Sequence, residues 1–202
     1  KAHELSGDLD KAIQAYRLGL EVLPESLSLL EPLGNLYLQR QNVAGVIEVF
    51  ERIHTRLRRS QRRNLYVMMV LGRFYEVAGR EAQAVELYKE AIRVYPDHMK
   101  VYVYLIDLLW RAGQRDEAFS WCQTGLIRSP EDRELLARFD RCAGPPEAIR
   151  REYRRFADQY NQLSEIQLMW ARRSLEPPRD PDAAEEGFRR VLDFDRDHRE
   201  AL

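Results

Sequence analysis

Histidines are the side chains in this sequence best suited to acid–base catalysis or metal binding at neutral pH. The four of them, His3, His54, His98 and His198, lie far apart along the chain. The chain also has no H-E-x-x-H metal motif, no G-x-S-x-G nucleophile motif and no glycine-rich phosphate loop. We therefore expect no catalytic residues, no metal site and no cofactor, and we predict that the protein is not an enzyme.

The two cysteines could form a disulfide or bind a metal, but their spacing favours neither. Cys122 and Cys142 stand alone, without a C-x-x-C motif or a neighbouring histidine cluster. This pattern excludes a disulfide-framework domain and the usual zinc spacings. We expect two separate buried thiols. A single Cys122–Cys142 disulfide stays open as the alternative in an oxidising compartment.

Arginine is concentrated in two segments that could bind anions. The first holds Arg52, Arg56, Arg58, Arg59, Arg62 and Arg63, and the second holds Arg150, Arg151, Arg154 and Arg155, with Tyr153 and Phe156 interleaved. Basic patches with aromatic residues can bind phosphate backbones. However, 32 basic residues are balanced by 33 acidic ones, so the chain has no overall attractive field for nucleic acid. We interpret both segments as solvated helix faces, disfavour nucleic acid as a partner, and consider an acidic protein surface the better match.

The composition indicates a globular helical protein. Hydrophobic residues make up 45% of the chain and charged residues 32%, which is typical of a folded domain. The counts of 10 glycines and 9 prolines argue against an all-β fold with many tight turns. The longest apolar run, residues 65–72, is far shorter than the roughly 20 residues that a membrane-spanning helix needs.

The strongest pattern in the sequence is a step of 34 residues. This step relates Gly79 to Gly113, Ala84 to Ala118 and Pro96 to Pro130. Within residues 81–94, apolar side chains recur at three- and four-residue intervals, which predicts an amphipathic helix. The two glycines suit helix C-caps, and the two prolines suit the end of a second helix. Each step therefore predicts one pair of antiparallel helices.

Related positions extend this pattern over the whole chain. The predicted units are about 1–26, 27–64, 65–98, 99–132, a degenerate unit 133–164, and 165–198. Gly34 and Gly72 should let the two helices of a pair approach closely. Asp8 is expected to cap the helix that runs to Val22. Pro32 predicts that its helix starts near Glu31 or kinks there.

One unit carries the residues of a known repeat family. Met68, Leu71, Gly72 and Tyr75, followed by Ala84, Tyr88, Ala91 and Pro96, fit W-x2-L-G-x2-Y, then A-x3-F, then P, with Met68 in place of Trp and Tyr88 in place of Phe. The sequence resembles the tetratricopeptide repeat family. This resemblance implies an all-α, right-handed α-solenoid of antiparallel helix pairs, forming one continuous domain over residues 1–202.

The resemblance also implies a function, which is the binding of a partner protein or peptide without catalysis. In this family the first helices of successive pairs line a concave groove. By register, the groove residues would be Asn35, Gln39, Tyr66, Met69, Arg73, Glu76, Lys100, Val103, Asp107, Trp110, Arg111, Arg138, Arg141, Met169 and Arg173. Tyr, Trp, Met and Arg are enriched at binding surfaces. For Trp110, packing against a neighbouring helix stays open as the alternative.

Three further expectations concern the context of the chain. Because both ends fall within a repeat, we expect a segment cut from a longer array, with self-association through its uncapped ends. One alternative is a periplasmic segment of a bacterial outer-membrane exopolysaccharide-export protein that recruits a polymer-modifying enzyme; another is a regulatory array fused to an enzyme. The compartment stays open between cytoplasm and periplasm. Glu31 stands where the family's carboxylate clamp has lysine, so we predict no binding of acidic chaperone tails.

Overall fold

The computed structural model describes the backbone of residues 2–23, 26–176 and 179–194, and the side chains of residues 8–23, 26–176 and 179–193. These described residues form eleven helices and no strand, which confirms the all-α prediction. The chain forms two compact units, unit 1 (Lys1–Pro96) and unit 2 (Asp97–Leu202). The expectation of one continuous domain stays a prediction.

In each unit, every helix packs against the next one along the chain. Unit 1 contains α1 (Ala2–Val22), α2 (Leu27–Gln39), α3 (Val43–Arg59), α4 (Leu65–Val77) and α5 (Glu81–Val94). Unit 2 contains α6 (Met99–Arg111), α7 (Arg115–Arg128), α8 (Arg133–Ala143), α9 (Pro146–Gln159), α10 (Ser164–Ser174) and α11 (Pro181–Phe194). The first helices of the predicted pairs are therefore α2, α4, α6, α8 and α10.

The predicted glycine caps end two of the first helices. Gly79 has φ +71° and Gly113 has φ +77°, the left-handed conformation that glycine adopts without a steric penalty. After each glycine, an amide donates back over the helix end, from Arg80 N to Tyr75 O at 2.8 Å and from Gln114 N to Leu109 O at 2.9 Å. This pair of features is the Schellman motif.

Two other helix ends use the same turn without glycine. Gln41 after α2 has φ +52°, and Gln61 after α3 has φ +55°. The following amides close the turn, with Asn42 N donating to Tyr37 O at 3.0 Å and Arg62 N donating to Leu57 O at 2.8 Å. Because a side chain disfavours this backbone region, these two turns form at an energetic cost that glycine avoids.

Glycine also sets the distance between paired helices, as predicted. A Cβ atom on Gly72 of α4 would lie 2.4 Å from Cε1 of Tyr88 on α5, and one on Gly34 of α2 would lie 2.7 Å from Cε2 of Phe50 on α3. Real Cβ atoms do not come this close to other atoms, so only glycine fits at these two sites. Tyr88 is fully buried, and its ring fills the space that the glycine leaves.

The degenerate unit forms a helix pair, α8 and α9, through an aromatic core. Phe139 on α8 lies 4.5 Å from Tyr153 and 5.8 Å from Phe156 on α9, measured between ring centroids. Phe139 and Phe156 are fully buried. Gly144, with φ +98°, makes the turn, and Pro146 occupies the first position of α9. The aromatic side chains thus replace the small-residue signature of the other pairs.

Two predictions about helix starts were wrong. Asp8 does not cap a helix, because α1 already begins at Ala2 and passes through Asp8. The helix that contains Pro32 begins at Leu27 after Ser26, so the predicted start near Glu31 is wrong, while the alternative of a kink at Pro32 stays a prediction. Proline lacks an amide hydrogen, so it cannot donate to the carbonyl of Ser28, and α2 continues without that bond. Helix α3 is longer than the second helices of the next two pairs, with 17 residues against 14 in α5 and in α7.

Candidate functional site

The predicted groove residues all lie on first helices. Asn35 and Gln39 are on α2; Tyr66, Met69, Arg73 and Glu76 on α4; Lys100, Val103, Asp107, Trp110 and Arg111 on α6; Arg138 and Arg141 on α8; and Met169 and Arg173 on α10. We call the surface that these residues form within one unit the first-helix face. In unit 2, α6 packs directly on α8, so these two helices share a continuous first-helix face.

In unit 1, the first-helix face combines exposed side chains with one ordered ion pair. Asn35 and Gln39 are exposed, and Tyr66 is 58% exposed with its ring tilted against Phe50. Arg73 donates to Glu76 at 3.1 Å. Glu76 also accepts a hydrogen bond of 2.7 Å from the hydroxyl of Tyr88. This carboxylate therefore links the face to the tyrosine that fills the Gly72 contact.

Asp107 is the centre of the first-helix face in unit 2. Its carboxylate accepts from Nη2 of Arg138 at 2.6 Å and from Nη2 of Arg141 at 2.7 Å, so charged hydrogen bonds from both arginines join α6 to α8. Burial would raise the pKa of Asp107, but the hydrogen bonds and charges of the two arginines outweigh it and lower that pKa. Arg138 also lies 3.9 Å from Glu134, so two carboxylates balance the two guanidinium groups of this cluster.

Trp110 lies beside this cluster and is half-buried. The guanidinium carbon of Arg141 lies 5.1 Å from the centre of its ring, and that of Arg115 lies 5.2 Å away. Both distances are typical of cation–π contacts. The ring therefore contacts arginine side chains of α7 and α8 while part of it stays on the surface, and its role in partner binding stays a prediction.

Not every predicted groove residue offers surface to a partner. Val103 is 5% exposed and Met169 is 3% exposed, so both side chains belong to the core of unit 2. Lys100 and Arg111 are exposed, and Arg111 donates from Nε to the backbone oxygen of Asp107 at 3.2 Å. The register assigned the correct helix to each residue, but it did not separate inward from outward positions on α6 and α10.

The face continues from α8 to α10 through a second carboxylate. Arg173 donates to Asp140 and to Glu176, and its guanidinium carbon lies 5.3 Å from the ring centre of Tyr153. The hydroxyl of Tyr153 donates to Asp140 at 2.8 Å. Burial first, and then the negative charge of Asp140, raise the pKa of Tyr153, so this phenol stays protonated. Asp140 was not among the predicted site residues, although Arg173 follows it by 33 positions, close to the repeat length.

The two arginine segments differ in how their charges are neutralised. Around Glu90 on α5, Arg63 lies at 3.3 Å and Arg58 at 3.9 Å, with His54 Nε2 at 3.6 Å. Burial lowers the pKa of His54, and the charge of Glu90 opposes this effect. Glu90 therefore neutralises part of the positive charge of this segment.

On α9, the pairing is looser. Arg151 and Arg155 reach Glu152 at 3.8 and 4.0 Å, with side chains 74% and 78% exposed. Arg154 pairs with Glu186 of α11 at 3.0 Å. Beside this helix lies a cavity of about 400 Å³ with Ile149, Tyr153 and Trp170 among its lining residues and Arg150, Arg151 and Arg154 also at its wall. This basic surface, Arg150 to Arg155, is the alternative contact site in unit 2.

Among the described residues, no group of three or more His, Cys, Asp or Glu side chains could hold a metal ion. None of the helices formed by these described residues is long and apolar enough to span a membrane.

The paired helices, the Schellman turns and the glycine contacts agree with a family model for the tetratricopeptide repeat, which matches residues 78–138. Residues 78–138 thus belong to the tetratricopeptide repeat family. Solved structures of similar fold include MamA, with a TM-score of 0.52 and 18% identity, covering 94% of this chain and 84% of that one. Another is YrrB, described as a tetratricopeptide repeat protein with an unusual peptide-binding site, with a TM-score of 0.50 and 16% identity over 94% of this chain and 97% of that one.

Two larger assemblies also contain regions similar to this tetratricopeptide repeat chain. The structure of Naa15/Naa10 bound to HypK has a TM-score of 0.59 and 14% identity, covering 98% of this chain and 31% of that one. The BBSome complex member BBS4 of Mus musculus is 56% identical over 39 residues, which is 19% of this chain and 8% of the mouse protein. The chain therefore matches only a small part of that curated relative, and the structural similarities establish the fold.

Proposed function

We propose that this tetratricopeptide repeat protein is a non-catalytic scaffold that binds a partner protein or peptide, and that the first-helix face of unit 2 is a principal contact surface. The general scaffold role follows from the repeat family. The observation that carries the specific surface is Trp110, a partly exposed tryptophan held between Arg115 and Arg141. Tryptophan and arginine are the residue types that most often dominate binding energies at protein interfaces.

The face is held in place before any partner binds. Arg138 and Arg141 are fixed by Asp107, and the Arg141 guanidinium in turn stacks on Trp110. Side chains that are already ordered lose less conformational freedom on association, and each immobilised long side chain would otherwise cost about 0.5–1.5 kcal/mol. The Asp107 cluster thus supports binding without itself needing to touch the partner.

The chemistry of the face indicates the kind of partner. Asp107 and Glu134 balance Arg138 and Arg141, and Lys100 and Arg111 on α6 add exposed positive charge beyond them. We infer a partner segment with acidic residues that flank an apolar or aromatic side chain able to pack on Trp110. In unit 1, the matching contacts would be Asn35, Gln39, Tyr66 and Arg73, with Met69 half-buried and the Glu76 side chain only 5% exposed beneath them.

Site-specific photo-crosslinking tests this assignment. A photoreactive phenylalanine analogue at position 110 should capture the partner in cells, whereas the same probe at the exposed Ser120 on α7 should not. For the captured partner, Trp110→Ala should weaken binding by about 2 kcal/mol or more, which is roughly a thirtyfold rise in Kd.

A matched control uses the alternative surface of unit 2. The double variant Arg150→Ala/Arg151→Ala removes exposed charge from α9 and should leave the affinity within about threefold of wild type, since exposed charges contribute about 0–1 kcal/mol. Loss of binding in this variant, with Trp110→Ala unaffected, would move the contact to the basic surface of α9. Retention on nucleic acid that falls steeply with salt would instead indicate phosphate binding.

Two predictions about context accompany this proposal. A role in exopolysaccharide export predicts a signal sequence and a β-barrel encoded in the same gene, and a regulatory role predicts an adjacent catalytic domain. The coding sequence around this segment decides between these alternatives and a separate adaptor, and it also decides between cytoplasm and periplasm. Self-association through uncapped ends is checked by sedimentation over a range of protein concentrations.

A further inference from the structure

The cavity of about 400 Å³ in unit 2 is lined by side chains of α8, α9, α10 and α11. Three of its lining side chains belong to the core, since Tyr153 is 3%, Trp170 is 2% and Ala183 is 9% exposed. Pro146 and Ile149 add further apolar surface at its wall. Small-molecule sites typically measure about 300–1,000 Å³ and combine a mostly apolar lining with a few polar groups. The size and the lining of this cavity therefore suit a small ligand with an apolar body.

The carboxylates that line this cavity already have partners within unit 2. Asp140 and Glu176 both pair with Arg173. Asp180 accepts a hydrogen bond of 3.1 Å from the amide of Ala183 in the first turn of α11. A cation that entered the cavity would have to displace one of these donors, so the cavity is poorly suited to a positively charged ligand.

The guanidinium groups of α9 are the opposite case. Arg150, Arg151 and Arg154 line the cavity, whereas the carboxylates that pair with Arg151 and Arg154, those of Glu152 at 3.8 Å and Glu186 at 3.0 Å, are not part of its lining. Arg150 has neither an ion pair nor a hydrogen bond with any other side chain that the structure describes. An anion can therefore pair with Arg150 without breaking a contact within the protein.

We propose that this cavity binds a small organic carboxylate with an aromatic body. The carboxylate would pair with Arg150 on the exposed side of the cavity, and the aromatic body would pack against Ile149 and Trp170. A charge-assisted hydrogen bond sets the orientation of such a ligand, while burial of its apolar surface supplies most of the affinity. The proposal goes beyond the partner-binding role and does not depend on it, because Arg150 and Ile149 lie on α9, outside the first-helix face.

Fluorine NMR on the full chain tests this site with a matched pair of ligands. The probe is para-fluorophenylpropionate, and its neutral amide is the same molecule without the charge. A ligand of this size in a suitable cavity should have a roughly millimolar Kd. Because only the acid can form an ion pair with Arg150, we expect wild type to bind the acid about fivefold more tightly than the amide.

Two variants separate the charged contact from the apolar one. Arg150→Gln should weaken binding of the acid by about fivefold and leave binding of the amide unchanged, since glutamine keeps hydrogen-bonding groups but has no charge. Arg150→Lys keeps the positive charge and should retain most of the preference for the acid. Ile149→Ala should weaken binding of the acid and of the amide alike, by about threefold or more, because it removes apolar contact area.

Two controls locate the effect in this cavity. Arg189→Gln removes an exposed arginine of α11 that is not part of the lining, and this variant should bind both ligands as wild type does. Trp110→Ala should leave the Kd of the acid unchanged, which separates the cavity from the first-helix face. Far-UV circular dichroism shows that each variant keeps its helices. The proposal is overturned if folded wild type binds neither ligand or binds both equally, if Arg150→Gln keeps the preference for the acid, or if Trp110→Ala abolishes binding of the acid.

Discussion

Replacing Gly72 by alanine tests the contact that sets the spacing of α4 and α5. The new Cβ would lie 2.4 Å from Cε1 and 2.7 Å from Cζ of Tyr88. Tyr88 is fully buried and its hydroxyl donates to Glu76 at 2.7 Å, so its ring cannot turn away without losing that bond. Overpacking a core of this kind costs about 1–3 kcal/mol. Alanine in a helix gains about 0.5–1 kcal/mol over glycine, so the net loss should be roughly 1–2 kcal/mol.

Gly19→Ala is the matched control for this prediction. Gly19 also lies inside a helix, α1, but its nearest neighbour is the flexible tip of Leu29, at 3.1 Å. This variant should be neutral or more stable by up to about 1 kcal/mol. Chemical denaturation followed by far-UV circular dichroism measures both variants. In a Tyr88→Leu background, the cost of Gly72→Ala should disappear. Equal stability of the Gly72→Ala and Gly19→Ala proteins would refute the steric explanation.

Two further predictions concern the turns and the charged cluster. Gln41→Gly and Gln61→Gly should each raise the free energy of unfolding by roughly 0.5–1 kcal/mol in the same denaturation assay, because glycine removes the cost of the left-handed turn; a loss of stability would contradict this. The pKa of Asp107 is lowered in the fold by Arg138 and Arg141 against the effect of burial. Its stabilising contribution is therefore present above the unfolded pKa of about 3.9 and is lost as the pH falls through the folded value. Asp107→Asn should flatten the acid limb of a stability–pH curve, and an unchanged acid limb would show that the cluster contributes nothing.

The repeat pattern predicted the helices and their ends well, because it depends on local chemistry. Gly79 and Gly113 stop helices through their own backbone freedom, and Pro96 and Pro130 follow the ends of α5 and α7 because they cannot continue them. These helix-ending signals act within a few residues of the chain, so they can be recognised from the sequence without knowledge of the tertiary contacts. The degenerate pair was predicted from its length and from the turn at Gly144, whereas its aromatic core was not.

The wrong predictions arose where a neighbouring element overrides a local preference. Pro32 would end an isolated helix, but α2 buries Leu30, Leu33 and Tyr37, and this packing compensates for one missing hydrogen bond. Asp8 has the residue type of a helix cap, yet α1 passes through it.

The sequence predicted the helix on which each site residue lies, but not which of these residues contact one another. The register placed Asp107, Arg138 and Arg141 on first helices, and it could not show that they bind one another, since their pairing depends on how closely α6 approaches α8. A search for opposite charges separated by one repeat length would have found the pair of Asp107 and Arg141, which are 34 residues apart.

This pairing of opposite charges has a consequence for how such a chain can evolve. Asp107 on α6 is matched by an arginine 34 residues later on α8, and Asp140 on α8 is matched by Arg173, 33 residues later on α10. The pair of α8 and α9 thus supplies a carboxylate to the pair that follows and an arginine to the pair that precedes it. Duplication of the segment from α8 to α9 would create a new boundary that is already complementary, whereas transplanting it beside an unrelated pair would strand a carboxylate. The charged residues of a helix pair therefore restrict which pair can lie next to it.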